Sequence, residues 1–211
     1  MLLDLPDSHD ALWGAFKSKL RSQIRKPGKE GVTAKVGRLE LIDDFYHVFS
    51  KNMRDLGTPV YTKKLFANML EAFPQSSWIV AAYRERQPLA AGFLLGFRDT
   101  IEIPWASSLR EFNRLSANML IYWQALKLAI DQGYRRFDFG RSTPGEGTYK
   151  FKAQWGAQPL ELNWEYWLPE GEVMPDISPK NGKYQKAIQI WQKLPVPLTK
   201  VIGPPIVRNI P

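Results

Sequence analysis

The chain has 211 residues, of which 44% are hydrophobic and 24% are charged. This is the composition of a soluble globular protein with one domain, or with one domain and an appendage. The chain contains no cysteine, which excludes disulfides and thiolate metal sites. Its two histidines are too few and too scattered for a metal site or a Ser-His-Asp triad.

The net charge of +8 points toward a polyanionic partner such as nucleic acid, a nucleotide or a membrane surface. Plain solubility explains a charge of this size nearly as often. No apolar run approaches the roughly 18 residues that a membrane span needs, and the short acidic opening is unlike a signal peptide. We therefore expect a cytoplasmic protein without a transmembrane segment.

One amphipathic helix is predicted from Ser8 to Lys26. Ser8 is a candidate N-cap, and Pro27-Gly28 is expected to end the helix. A narrow apolar stripe with a spacing of four predicts the buried face, which consists of Leu12, Phe16, Leu20 and Ile24.

The second half of this helix is strongly basic, and no acidic residue lies between Ala11 and Gly28. Cations at the end of a helix complement its dipole, which is a purely structural explanation. A face that contacts an anion explains so dense a cluster equally well. The cluster consists of Lys17, Lys19, Arg21, Arg25, Lys26 and Lys29.

A short strand over residues 31–36 and an amphipathic helix over residues 39–56 are predicted next. His47 lies on this helix and is expected at the surface. Thr62 is expected to cap a third helix, which Pro74 ends.

Three strands follow over residues 77–84, 89–97 and 101–106, joined by short polar turns. Such short connections imply an antiparallel meander. The strongest helical pattern covers residues 113–132, and Gly133 is placed to end that helix.

Residues 135–156 predict a strand, a glycine-containing loop and a short helix ended by Gly156. Asp138 lies at the end of the strand, where α/β folds usually place functional groups. The loop and the start of the helix form a candidate anion-binding corner. An ordinary strand–turn–helix connection with solubilising cations is the alternative. The corner contains Arg141, Ser142, Thr143 and Lys152.

A last strand is predicted over residues 160–168, which include Trp164 and Trp167. After Pro169 the chain becomes rich in proline and glycine. This change predicts an appendage over residues 169–211 with one short helix near residues 184–193.

The order of these elements resembles the acyltransferase fold of the GNAT superfamily. Several motifs resemble the second GNAT-like domain of FemAB-type proteins, and they are similar to the FemAB-related group associated with PEP-CTERM/exosortase and exopolysaccharide systems in bacteria. The resemblance spans roughly residues 10–208. Its motifs lie in Lys19–Gly31, Arg54–Tyr61, Phe137–Ser142, Gly147–Gly156 and Leu194–Arg208.

The resemblance implies an α/β GNAT-like fold, with a central mixed and mostly antiparallel sheet flanked by helices. It places the domain at residues 8–168, including the basic helix 8–27, and leaves residues 169–211 as the appendage. It further implies transfer of an aminoacyl group, from an aminoacyl-tRNA donor, to an amine of a peptidoglycan precursor. Acetyl-CoA users carry a glycine loop after the meander, whereas residues 107–114 contain no glycine. We therefore expect neither acetyl-CoA nor a resident cofactor.

A Phe-Lys pair lies near the transfer site of the relatives, and it maps onto Phe151 and Lys152. The resemblance implies that the lysine stabilises negative charge on the reacting group, and we expect its side chain to be half-exposed. Phe151 is alternatively a core residue. Asp138 is either a base or a member of an ion pair with Arg141 or Arg136. Further substrate-binding candidates are Arg141, Ser142, Thr143, Tyr149 and Trp155.

The same resemblance implies that the basic helix positions the phosphates of tRNA or of a nucleotide-linked envelope precursor. FemAB-type proteins carry two GNAT-like domains, and this chain has room for one. Three alternatives follow, namely a truncated gene product, a split enzyme in which a partner domain replaces the missing half, or a single-domain variant. The alternative is a noncatalytic basic half-domain that binds tRNA or an anionic glycan, or that docks a partner. The candidate phosphate-binding residues are Arg21, Arg25, Lys26 and Lys29.

Overall fold

The structure is a computed structural model that describes residues 1–172 and 182–209. The chain divides into two compact units. Unit 1 consists of Met1–Asn52 and Thr62–Pro159, and unit 2 consists of Met53–Tyr61 and the described residues from Leu160 onward.

A six-stranded sheet forms the centre of unit 1, with the strand order β1-β6-β5-β4-β3-β2. Neighbouring strands are antiparallel except β5 and β6, which are parallel. The predicted mixed, mostly antiparallel sheet and its three-strand meander are thereby confirmed. The strands are β1 Leu2–Asp4, β2 Val32–Gly37, β3 Ser77–Arg84, β4 Gln87–Phe97, β5 Thr100–Ser108 and β6 Arg136–Asp138.

Helices cover both faces of this sheet, because alternate residues along a strand point to opposite sides. On one face Val80 and Leu94 join a core with α2 and α5; on the other, Phe93 packs against Phe45 and Phe66 of α3 and α4. The helices of the described residues are α1 His9–Ala15, α2 Ser18–Lys29, α3 Ile42–Leu56, α4 Lys63–Ala72, α5 Ala117–Asp131, α6 Gly147–Ala153, α7 Gly182–Trp191 and α8 Val196–Val207.

The single helix predicted from Ser8 to Lys26 is wrong, because the chain bends between α1 and α2. Phe16 has an extended backbone with ψ 141°, and its ring packs 5.8 Å from that of Trp123 on α5. Pro27 does not end α2, since a proline in the last turn removes only one backbone donor. Gly31, with φ +74°, follows the helix instead. The predicted apolar stripe is nevertheless buried along its whole length.

The helix predicted over residues 113–132 is preceded by a 3₁₀ turn, Arg110–Leu115. Ser116 then adopts a left-handed conformation with φ 55°, and α5 begins at Ala117. The predicted surface position of His47 and the cap by Thr62, whose hydroxyl accepts from the Leu65 amide at 3.2 Å, are confirmed.

The strand predicted over residues 160–168 is wrong. Gln158 forms an isolated bridge with Leu2, and Pro159, which has no backbone N–H to continue a ladder, follows it. The alternating apolar side chains are exposed instead, with Trp164 at 61% and Trp167 at 87%. Conversely, β1 was not predicted, and it occupies the outer edge of β6.

Unit 2 contains the end of α3 together with α7 and α8. The predicted short helix corresponds to α7, whereas α8 was not predicted because it contains Pro204 and Pro205. Arg54 donates a hydrogen bond of 2.9 Å to the carbonyl of Leu194. Residues 173–181 and 210–211 of the predicted appendage lie outside the described residues. No helix within residues 1–172 or 182–209 has the length and apolar character needed to cross a bilayer.

Candidate active site

The candidate site lies where the parallel strands β5 and β6 run side by side. In their register Glu102 lies opposite Asp138, so these two carboxyl groups extend from neighbouring positions of the sheet. Crossovers that join parallel strands commonly place functional groups at the ends of those strands. The loop after β6 and the helix α6 then complete the site.

Lys152 on α6 is the central cation of this site. Its side chain is only 8% exposed, and Nζ donates a hydrogen bond of 2.8 Å to the carbonyl oxygen of Arg141. Burial lowers the pKa of the Lys152 ammonium, while the negative charges of Asp138 and Glu102 act in the opposite direction. The expectation of a half-exposed lysine was wrong, because α6 packs against the core and places this residue on its inner side.

Gly140 separates Lys152 from Glu102. A Cβ atom at this position would lie 3.8 Å from Glu102 Oε1 and 3.9 Å from Lys152 Nζ. The backbone at Gly140 has φ +77°, a conformation that glycine adopts readily and other residues do not. The Glu102 carboxyl group and the Lys152 ammonium therefore both lie close to the Cα of Gly140.

Glu102 was not predicted as a site residue. Its side chain is half-buried, and burial raises the pKa of its carboxyl group, with a further rise from Asp138 and an opposing effect of Lys152. A raised pKa makes the carboxylate a stronger base, which favours a role in accepting a proton. The sequence signal was an isolated acidic residue between Ile101 and Ile103 in an otherwise apolar strand.

Asp138 fixes the loop that follows β6. Its Oδ1 accepts a hydrogen bond of 2.7 Å from the backbone amide of Gly140 and lies 3.4 Å from the Met1 nitrogen. The suggested ion pair of Asp138 with Arg136 was wrong, because Arg136 donates to both carboxylate oxygens of Asp99, at 2.8 and 3.0 Å. Arg136 lies beside Asp99 because the turn before β5 adjoins β6.

The other predicted substrate-binding residues surround Lys152 to different degrees. Ser142 is half-buried, and its Oγ has no hydrogen-bond partner in the described parts of the chain. Arg141 and Thr143 are exposed, whereas Tyr149 is half-buried. Trp155 is 1% exposed and therefore belongs to the core rather than to the surface of the loop.

Phe151 borders a small cavity of about 160 Å³ between β5 and α5. Its ring packs edge-on against Tyr122 with a centroid distance of 5.0 Å, so Phe151 both packs in the core and lines the cavity. The cavity wall is polar on one side, where Asn52 donates to Ser107 Oγ at 3.2 Å.

The four predicted phosphate-binding residues all lie on α2. Lys26 and Lys29 are exposed, and the guanidinium of Arg25 stacks 5.0 Å from the ring centroid of Trp13. Arg21 is half-buried and donates to the carbonyls of Trp13 and Gly14 at 3.5 Å, near the limit for a hydrogen bond. In residues 1–172 and 182–209 no group of three or more His, Asp or Glu side chains is arranged to hold a metal ion.

Comparison with known proteins supports this assignment of the fold. The model of the family described as acetyltransferase (GNAT) domain matches residues 14–153, about two thirds of the chain. FemX has a similar structure, with a TM-score of 0.65 and 14% identity over 74% of this chain and 57% of FemX. This chain thus spans just over half the length of FemX. No curated protein matches the chain significantly by sequence.

Two further structures share the fold. The C-terminal domain of a candidate lysylphosphatidylglycerol synthetase from Agrobacterium fabrum has a TM-score of 0.55 and 13% identity, over 74% of this chain and 56% of that one. An aminoglycoside acetyltransferase from an uncultured soil metagenomic sample, in complex with sisomicin, has a TM-score of 0.54 and 8% identity, over 67% of this chain and 99% of that one. The family match covers the sheet from β2 to β6 together with all of α6, and the chain belongs to the acetyltransferase (GNAT) domain family.

Proposed function

We propose that the chain transfers an activated aminoacyl or acyl group to an amine acceptor, as FemAB-type enzymes do. The observation that carries this proposal is the buried Lys152 ammonium facing Glu102 across Gly140. One group supplies positive charge and the other accepts a proton, which are the two requirements of aminolysis. The similarity to the fold of FemX supports the same class of reaction.

In the proposed reaction the acceptor amine attacks the carbonyl carbon of the activated ester. A C–N bond forms, and the C–O bond to the carrier breaks. Lys152 has three N–H donors and uses one on Arg141, so donors remain for the oxyanion that develops on the carbonyl. The proton lost by the amine passes to Glu102 and then to the leaving oxygen, so that no other reactant is consumed.

An aminoacyl-tRNA is the proposed donor, and the proposed acceptor is an amine of a peptidoglycan or exopolysaccharide precursor. The resemblance of the sequence motifs to the FemAB-related group of PEP-CTERM systems supports this choice of donor and acceptor. Donors based on CoA fit less well, because the segment after β5 forms a 3₁₀ turn without glycine. Within that turn the Phe112 amide already donates to the Leu109 carbonyl at 3.0 Å. A pyrophosphate would need such amides to be free.

Replacing Gly140 with alanine is expected to reduce transfer, because the new methyl group occupies the point that Glu102 and Lys152 both face. The left-handed backbone adds a stability cost of roughly 1–2 kcal/mol. Gly145→Ala is the matched control, since Gly145 also has positive φ but has no neighbouring atom within 4 Å. Thermal unfolding and initial rates separate the two effects. Equal rates in both variants would contradict the proposed position of the reacting groups.

A basic half-domain that binds tRNA or an anionic glycan is the second candidate, and the exposed cations of α2 favour it. Changing Arg25, Lys26 and Lys29 together to glutamine is expected to weaken polyanion binding and to reduce the salt slope by roughly 2–3. Filter binding of mixed tRNA at several salt concentrations measures this slope. An unchanged slope would exclude α2 from the binding surface.

Transfer of labelled amino acid from a pool of charged tRNAs to lipid- or nucleotide-linked envelope precursors tests the catalytic proposal. The chain is assayed alone and beside its Lys152 variant. Label transfer that depends on Lys152 supports the transferase. Binding of tRNA without transfer by the folded chain would reject catalysis by this chain alone and favour the half-domain.

A further inference from the structure

A second and larger cavity has a volume of about 750 Å³. Its walls come from β1, α1, α2 and the turn after α6, all within unit 1. A volume between roughly 300 and 1,000 Å³ is typical of sites for small organic ligands. The large side chains that line the interior are Leu3, Leu5, Leu12, Phe16, Leu20 and Trp155.

The cavity opens to solvent along one side. Ala11, Ala15, Lys17 and Lys19 are lining residues and are themselves exposed, whereas the lining residues Leu12, Phe16 and Leu20 are buried. A largely apolar depression of this size that a solute can enter is a candidate binding site.

The mouth of the cavity is cationic. Lys17 and Lys19 flank it, and neither side chain forms an ion pair or a hydrogen bond within the described residues. Asp4 is the opposing carboxylate of the lining, so the mouth retains a net positive charge. The first turn of α2 contains no acidic residue that would neutralise the lysines.

Trp155 contributes its ring to the wall of this space. The residue is 1% exposed, and its indole N–H has no hydrogen-bond acceptor among residues 1–172 and 182–209. That nitrogen is itself covered from solvent, so the ring offers a ligand apolar contact area rather than a hydrogen bond.

We propose that this cavity binds an amphiphile, with its hydrocarbon chain along the apolar wall and its anionic head at Lys17 and Lys19. Carboxylate and phosphate heads share the required charge. The assignment is independent of the transfer reaction, because none of the lining residues is a proposed catalytic group. Trp155 connects the two regions, since its ring packs against Phe151 with a centroid distance of 6.2 Å.

Isothermal titration calorimetry with dodecanoate, dodecyl phosphate and octanoate, each below its micelle concentration, tests the proposal. We expect saturable binding of one molecule per chain by at least one of the two dodecyl compounds. Each buried methylene is expected to add roughly fourfold in affinity, so octanoate binds much more weakly. Acetate and inorganic phosphate, which lack the chain, are expected not to bind. The tighter of the two dodecyl compounds identifies the preferred head group.

Two variants and a matched control locate the site. The double change K17Q and K19Q is expected to weaken binding about tenfold, and A15W is expected to block the mouth. The control K35Q and K64Q removes the same charge from exposed lysines outside the cavity, and circular dichroism verifies folding of all three. Three results would overturn the proposal. They are absence of binding, binding that persists in A15W, and a control that weakens binding as much as K17Q and K19Q do.

Discussion

Replacement of Lys152 by methionine is expected to lower kcat/KM for aminoacyl transfer by about 100- to 1000-fold, the usual cost of losing one donor to an oxyanion. Methionine is chosen because Lys152 is buried, and it fills similar space without a charge. Alanine would leave a cavity and destabilise the fold, so a lower rate could not be assigned to loss of the ammonium alone.

Lys150→Met is the matched control for this experiment. Lys150 lies on the same helix, two residues before Lys152, and is exposed. We expect its rate to remain close to that of the unchanged chain. Initial rates under subsaturating substrate, together with thermal unfolding of both variants, provide the measurement. A folded Lys152→Met variant with full activity would remove this lysine from the mechanism.

Glu102→Gln is the second replacement with a large expected effect, because it removes the proposed proton acceptor. Loss of a general base commonly costs between about 100- and 10,000-fold in rate. Glu71→Gln is the control, since Glu71 is an exposed residue of α4. If the two glutamine variants have equal rates, the amine loses its proton to solvent and not to Glu102.

The dependence of kcat/KM on pH provides an independent measure of both groups. Burial raises the pKa of Glu102, so the loss of activity on the acidic side is expected above the ordinary value of 4.5. Burial lowers the pKa of Lys152, so the loss on the alkaline side is expected below 10.5. Lys152→Arg is expected to remove the alkaline decline, because a guanidinium stays protonated. A decline that persists unchanged in this variant would belong to the substrate amine.

Local patterns predicted much of the fold of unit 1. The turns between β3, β4 and β5 are so short that the strands must be antiparallel neighbours. Spacing also predicted which side of α1 and α2 is buried. It did not predict the bend between them, because that bend depends on the packing of Phe16 against Trp123.

Prediction from local patterns was wrong where the structure of a segment depends on a neighbouring strand that is distant in sequence. Residues 160–168 alternate as a strand does, but alternation alone does not supply a neighbouring strand. β1 has only three residues, too few for any pattern, and it is a strand because β6 pairs with it. Proline in α8 is tolerated because Pro197 lies in the first turn and Pro204 and Pro205 lie near the end.

The part of the candidate site that lies within one continuous stretch of sequence was predictable. Lys152, Phe151 and the loop residues belong to one motif and were named from it. Glu102 belongs to another strand, and its place beside Asp138 follows from the parallel pairing of β5 with β6 through α5. The burial of Lys152 likewise depends on how α6 packs, which spacing within a helix of seven residues does not determine.

The pairing of β1 with β6 has a consequence for how the site assembles. The Met1 nitrogen donates to the carbonyl of Gly140 at 3.1 Å, across a sequence separation of 139 residues. Contacts that close so long a loop form late in folding, since the entropy of the loop is lost before the contact can compensate for it. The β3–β5 meander closes only short loops and can precede it. The loop after β6 is thus expected to acquire its final shape in the last folding step, and to be among the first regions to open under mild denaturation.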